Sequence, residues 1–496
     1  MAKSIPALAI FLMLAAPAIA QEEHHNHAAP ERLGAVHFPN SCAAMVGAAF
    51  DRAVALLHSF AYDVADRGFA DVAARDPTCA MAHWGRAMTH YHQLWSPPTA
   101  SELAAGAAEI SKAVALAART PRERALIAAL ATYYADADHS TPAVRALRYS
   151  DAMATIARDN RGDDEVQVFF ALSLIATAPP ADRTHARQKR AADILEPIWK
   201  RRPQHPGVPH YLIHTYDSAE LAQRGLHAAR AYAGIAPSAP HALHMPSHIF
   251  TRLGLWDDSI SSNLTARAAA HAQGDVGEEL HAMDYLTYSY LQLGRTTDAA
   301  TVVSSLQAMG DLEAGVFKIG YAGNAMRVRL AVESRDWAAS AQLTPLTGSA
   351  PQVAALVWWA RALGQSRRVP AGSADGDILQ LRACRDALRA FGDAYWAAQT
   401  DALLQSAEGW RAAAAGEASV AVTALTAAAD EEDALEKLPV TPGPIVPARE
   451  QLGELLLTLN RPAEALAAFN AALALAPGRR GALQGAVEAT RRLAAR

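Results

Sequence analysis

Val446–Arg479 reads VPAREQLGELLLTLNRPAEALAAFNAALALAPGR. Leu452, Gly453, Leu456, Ala465, Phe469, Ala472 and Pro477 fall at helical spacing in a unit of 34 residues. Small residues at Gly453 and Ala465 let two helices approach closely, and Pro477 stops the second one. The stretch therefore predicts a pair of antiparallel helices. The same habit extends outward: alanine and leucine recur at helical spacing along almost the whole chain, with Gly, Pro or Asp punctuation every 12 to 20 residues. No stretch has the alternating, β-branched pattern of a strand. The expected fold class is all-α.

Seven positions of Val446–Arg479 agree at once with the tetratricopeptide repeat, which the unit resembles. Weaker copies stand at Ala65, Phe69 and Pro77, at Ser247 through Gly254 to Asn263, at Leu286, Tyr290, Gly294 and Ala299, and around Arg329 and Trp337. The resemblance implies a right-handed superhelical solenoid of nine to ten antiparallel helix pairs, with a capping helix from Gly481 to Arg496. The expected organisation is a solenoid over 37–437, a proline-rich linker over 438–447 and a last repeat with its cap over 448–496. Larger blocks resemble a family of exported bacterial tetratricopeptide proteins: His37-Phe38-Pro39-Asn40-Ser41-Cys42, Leu56-Leu57-His58-Ser59-Phe60, Asp76 to Gly85, and His205 to Gly254. That likeness implies the fold and an exported location, and no activity.

The amino terminus reads as an export signal. Lys3 precedes an apolar run from Ile5 to Ala16, and Ala18-Ile19-Ala20 offers a cleavage site after Ala20. A periplasmic or secreted protein is expected, with residues 21–36 as a flexible arm carrying His24, His25 and His27, a metal-binding tract or a solvated tail. No later stretch reaches the roughly 20 uninterrupted apolar residues of a membrane span. A net charge of -5 with 19% charged residues leaves no basic stripe for nucleic acid. Of the three cysteines, Cys42 and Cys79 form the expected disulfide if one exists, with three buried thiols as the alternative.

The histidines between His205 and His281 carry the chemistry. His210, His214 and Asp217 are spaced by four and three, which puts them on one helix face, and His241, His244 and His248 form a second such run. His281 and Asp284 follow on the next repeat. Set in the repeat register, these eight residues occupy positions that in tetratricopeptide proteins line the concave groove, giving a metal site within 205–290. Imidazole and carboxylate suit Cu or Zn, with Fe as a further candidate, and a pair four apart on a helix chelates one ion. Pro246, inside its helix between two of the ligands, would preorganise them. Arg252, Arg329, Tyr285 and Tyr288 are candidates to hold an anionic small molecule or peptide. The bland reading assigns His58, His83, His90 and His92 to hydrogen-bonded core and His185, His227 and His271 to solvent.

No HExxH, GxSxG, Walker or dinucleotide signature competes. The expected function is an exported metalloprotein, either a metal-dependent hydrolase or oxidoreductase or a metal carrier. The alternative is a metal-free periplasmic scaffold that binds a peptide or partner protein in its groove.

Overall fold

The computed structural model describes Met1, residues 31–94 and residues 97–495, and Arg32 onward forms one compact unit. The expected signal segment and the His24, His25 and His27 tract lie outside the described residues, apart from Met1. Among the described residues there are twenty-four α-helices and three short 3-10 segments, and no strand. Successive helices pack on one another along the chain, the layout of an α-solenoid. None of these helices is long and apolar enough to cross a membrane.

Local signals explain the boundaries. Thr99 with Glu102 and Thr120 with Glu123 form capping boxes that satisfy the first backbone N–H groups of Ala100–Ala115 and Pro121–Tyr134. Close helix pairing rests on missing side chains. A Cβ on Gly453 would stand 2.7 Å from the Phe469 ring, so the two helices of the last repeat can touch only through glycine. Cys42 and Cys79 are joined, tying the entrance of Gly47–His58 to that of Ala80–Thr89 with 4.8 Å between their Cα atoms.

The carboxyl-terminal quarter departs from a simple linear stack. Residues 438–447 are non-helical, as four prolines demand, but they pack against the middle repeats. Arg329, fully buried, donates to Thr441 Oγ1, to the Gly443 carbonyl at 2.9 Å and to the Pro444 carbonyl. The terminal helix, Arg480–Ala494, is likewise more than an end cap. It touches Val276–Gln292, Trp256 donates to the Gly478 carbonyl, and Arg479 bonds Glu333 and Glu450 from full burial. Gly254 permits this closure: at φ +69 its backbone passes so near Pro477 that a Cβ would lie 2.5 Å from the carbonyl oxygen. The carboxyl-terminal end therefore closes onto the middle of the chain.

A candidate metal centre

Gly207–Tyr216 carries His210 and His214, and one helical turn between them brings their Nε2 atoms to 3.2 Å. The next inner helix breaks at Met245, because Pro246 has no N–H to donate, and becomes Pro240–His244 and Pro246–Arg252. His241 and His244 sit on the first half and His248 on the second, yet the Nε2 atoms of His244 and His248 stand 3.1 Å apart. Val276–Gln292 adds His281, whose ring centroid is 4.2 Å from that of His244.

Six of the eight expected ligands thus gather in two triplets, His210 with His214 and His241, and His244 with His248 and His281. Within each triplet one ligand nitrogen per residue lies within 4.8 Å of the others. The triplets abut, with ring centroids 5.7 Å apart between His214 and His248 and 6.1 Å apart between His241 and His244. All six imidazoles are buried.

Outer partners fix the tautomers of four of the six rings. Nδ1–H of His210 donates to the His58 carbonyl at 2.6 Å, that of His244 to Asn263 Oδ1 at 2.6 Å, that of His248 to Asp217 at 3.0 Å and that of His241 to Glu278 at 3.2 Å. For His210, His244 and His248 this leaves the Nε2 lone pair turned toward a neighbouring histidine. Between His244 and His248 two lone pairs therefore confront each other at 3.1 Å, an arrangement that repels unless a positive charge lies between. A proton is a poor candidate, since burial holds the His244 pKa well below the usual value and that of His248 down at about 4. By contrast, two nitrogens bound at about 2.0–2.1 Å to one ion at a tetrahedral angle stand roughly 3.3 Å apart.

The two aspartates take a different place from the one expected. Asp217 joins neither triplet: Arg252 donates to its Oδ1 at 2.8 Å, and Lys437 at 2.7 Å shares its Oδ2 with His248. Burial works to raise its pKa, but Lys437, Arg252 and His248 together hold it well below the carboxylate range. Asp284 bonds Arg329 at 2.8 Å, and burial raises its pKa against that pull. Of the four expected substrate contacts, Arg252 and Arg329 are committed to protein partners, Arg252 to Asp217 and Glu436 and Arg329 to Asp284 and residues 441–444. An anion would have to displace those partners. Tyr288 lies 5.5 Å from Trp256 under the Arg329 guanidinium, on the wall of a cavity of about 140 Å³. Tyr285 alone stands at the histidines, its hydroxyl 3.4 Å from His248 and from the Pro439 carbonyl.

Other histidines divide unevenly. His227 and His271 are exposed, whereas His185, expected in solvent, is buried within 3.7 Å of Glu220. His58 is core, bonded to Tyr211 and Glu165. Sequence reasoning missed the outer partners Glu278, Asn263 and Lys437. Glu278 had a signal in its place three residues before His281; Lys437 had none.

No protein-family model matches the chain, and no curated protein matches it. Solved structures similar over most of its length include the tetratricopeptide domain of P58(IPK), at 12% identity with a TM-score of 0.22, covering 91% of this chain and 99% of that one. Yeast Tom70 follows at 9% identity and a TM-score of 0.34, covering 89% and 88%, and Naa15/Naa10 bound to HypK-THB at 9% and 0.22, covering 85% and 62%. At these scores the fold rests on the helices themselves. They form a tetratricopeptide-like, all-α scaffold.

Proposed function

We propose that the chain is an exported metalloprotein whose solenoid holds two ions, one on each histidine triplet. The observation that carries this reading is the pair of Nε2 lone pairs on His244 and His248, fixed toward each other at 3.1 Å by acceptors behind both rings. Ligating histidines bonded through their other nitrogen to a carboxylate or carbonyl are the ordinary support of a protein metal site.

An all-imidazole set suits copper and zinc, and copper stands highest among the first-row divalent ions in affinity for such ligands. Asp217, the nearest carboxylate to His248, has both oxygens engaged by Arg252, Lys437 and His248, so it offers no general base for water attack. The affinity order of imidazole sites favours copper over zinc. A bound copper pair would supply one-electron and dioxygen chemistry. The protein's own residues would orient the imidazoles, Asp217 behind His248 and Glu278 behind His241, and exclude bulk water. A purely peptide-binding groove is less favoured, because residues 436–444 already occupy contacts on Asp217, Arg252 and Arg329.

The test is to purify the chain without an affinity tag, equilibrate it with Cu and with Zn, and count bound ions by mass spectrometry. Two ions per chain are expected, with fewer retained by His214→Ala and His248→Ala. A wild type that retains no metal above background sinks the reading and leaves the scaffold alternative.

A further inference from the structure

A cavity of about 280 Å³ opens beside the first triplet. His214 and Asp217 form one end, Leu94, Pro142, Ile175 and Leu438 contribute apolar wall, and Tyr91 and Tyr133 line it as a stacked pair 3.7 Å apart. We infer that this cavity is the substrate chamber of the histidine centre, and that it takes a small, neutral, mainly apolar molecule bearing a hydroxyl or amide group. The inference rests on the metal reading above.

Three observations carry it. The chamber reaches the centre itself: His214 is both a triplet member and part of the wall, and its Nδ1 has no hydrogen-bond partner among the described residues. Charged groups at this end are already compensated, Lys437 by Asp217 at 2.7 Å and Glu436 by Arg252 at 2.5 Å, so a charged ligand would gain no free partner there. Finally, Tyr91 Oη, Gln93 Oε1 and Gln188 Oε1 are buried without a hydrogen-bond partner among the described residues, and all three residues line this one cavity. Buried polar atoms without partners are rare in folded proteins, and these three, on residues that line one chamber but closed to solvent while it is empty, would reach a ligand's polar group by a rotation of their side chains. A site built in this way rejects an analogue that lacks the group. The aromatic pair and apolar wall provide for the rest of the molecule.

The experiment uses the tag-free chain, metal-loaded and metal-stripped, titrated calorimetrically with 4-methylphenol, toluene and benzoate. 4-Methylphenol should bind, toluene at least tenfold more weakly, and benzoate not measurably. Tyr91→Phe should weaken 4-methylphenol about three- to tenfold. Ala146→Trp, which fills the chamber, should abolish its binding with metal content and circular dichroism unchanged. In the copper(II)-loaded protein the methyl resonance of bound 4-methylphenol should broaden relative to the zinc form. Equal affinity for toluene, binding that survives Ala146→Trp in a folded protein, or no broadening by copper(II) overturns the chamber. Absence of metal in the mass spectrum instead overturns the metal reading, and the same titrations then decide separately whether the cavity binds 4-methylphenol at all.

Discussion

Two buried clusters of this protein bring imidazoles within ligand distance, and they are built on opposite principles. Around Glu165, His58 at 2.9 Å and His205 at 3.0 Å both point at one carboxylate. Burial works to raise the Glu165 pKa, but the two imidazoles hold it far below the carboxylate range. Every short contact there joins a nitrogen to an oxygen, so a proton satisfies each of those contacts, and only His205 Nδ1 is left without a partner among the described residues. Between His244 and His248 the short contact joins nitrogen to nitrogen, and the acceptors Asn263 and Asp217 stand behind the rings. Proximity of three donors is thus common to both regions. What separates a metal site from a hydrogen-bonded core is whether the lone pairs face an acceptor's partner or each other.

The largest expected effect comes from acid. Burial lowers the pKa of His210, His214, His244, His248 and His281, and that of His58 in the other cluster. A histidine depressed in the folded state stays neutral there while the unfolded chain takes up protons below about pH 6.5. Stability is therefore complete above that value and falls as pH drops through it, by up to about 1.4 kcal/mol per pH unit for each such group. For His248 the loss continues down to about pH 4. Urea denaturation of the metal-free protein between pH 8 and 5 should show a steep loss starting near pH 6.5. A flat profile would mean that the triplets are not buried neutral.

Next in size, Glu165→Ala should destabilise the fold by about 3–5 kcal/mol, since it removes the common partner of two buried imidazoles. Metal content should stay at the wild-type level, and a parallel fall in bound copper would erase the distinction between the clusters. Asp217→Asn should destabilise the fold, because it leaves buried Lys437 without its anion, and should weaken metal binding 10- to 100-fold by removing the charge that orients His248. Competition with a chelator of known affinity measures this. Tyr285→Phe should have the smallest effect, within about threefold on the same competition, as its hydroxyl contacts are 3.4 Å long.

Much of this was legible beforehand. The i, i+4 spacing of His210 with His214 and of His244 with His248 fixes those pairs by helix geometry alone, and the structure brings both within 3.2 Å. Pro246 was legible as a feature inside a helix, but its consequence was different: it divides the helix at Met245. The aspartates misled for a physical reason. Asp217 shares a helical spacing with His214, but Asp217 lies just past the end of Gly207–Tyr216, where Arg252 and Lys437 reach it. Nothing in spacing reveals that a lysine 220 positions away will arrive.

The sequence by itself determined the helices, the glycine-mediated pairing of helices such as that of Gly453 beneath Phe469, and the two histidine pairs, because each depends on contacts within one or two turns or one repeat. Only the tertiary structure decided which nitrogens face inward, which carboxylates stand behind them, and that residues 438–447 and the terminal helix return to cover the middle repeats. Those outcomes depend on side chains meeting across long stretches of chain, where the partner of a buried charge is chosen by packing and leaves no period in the sequence.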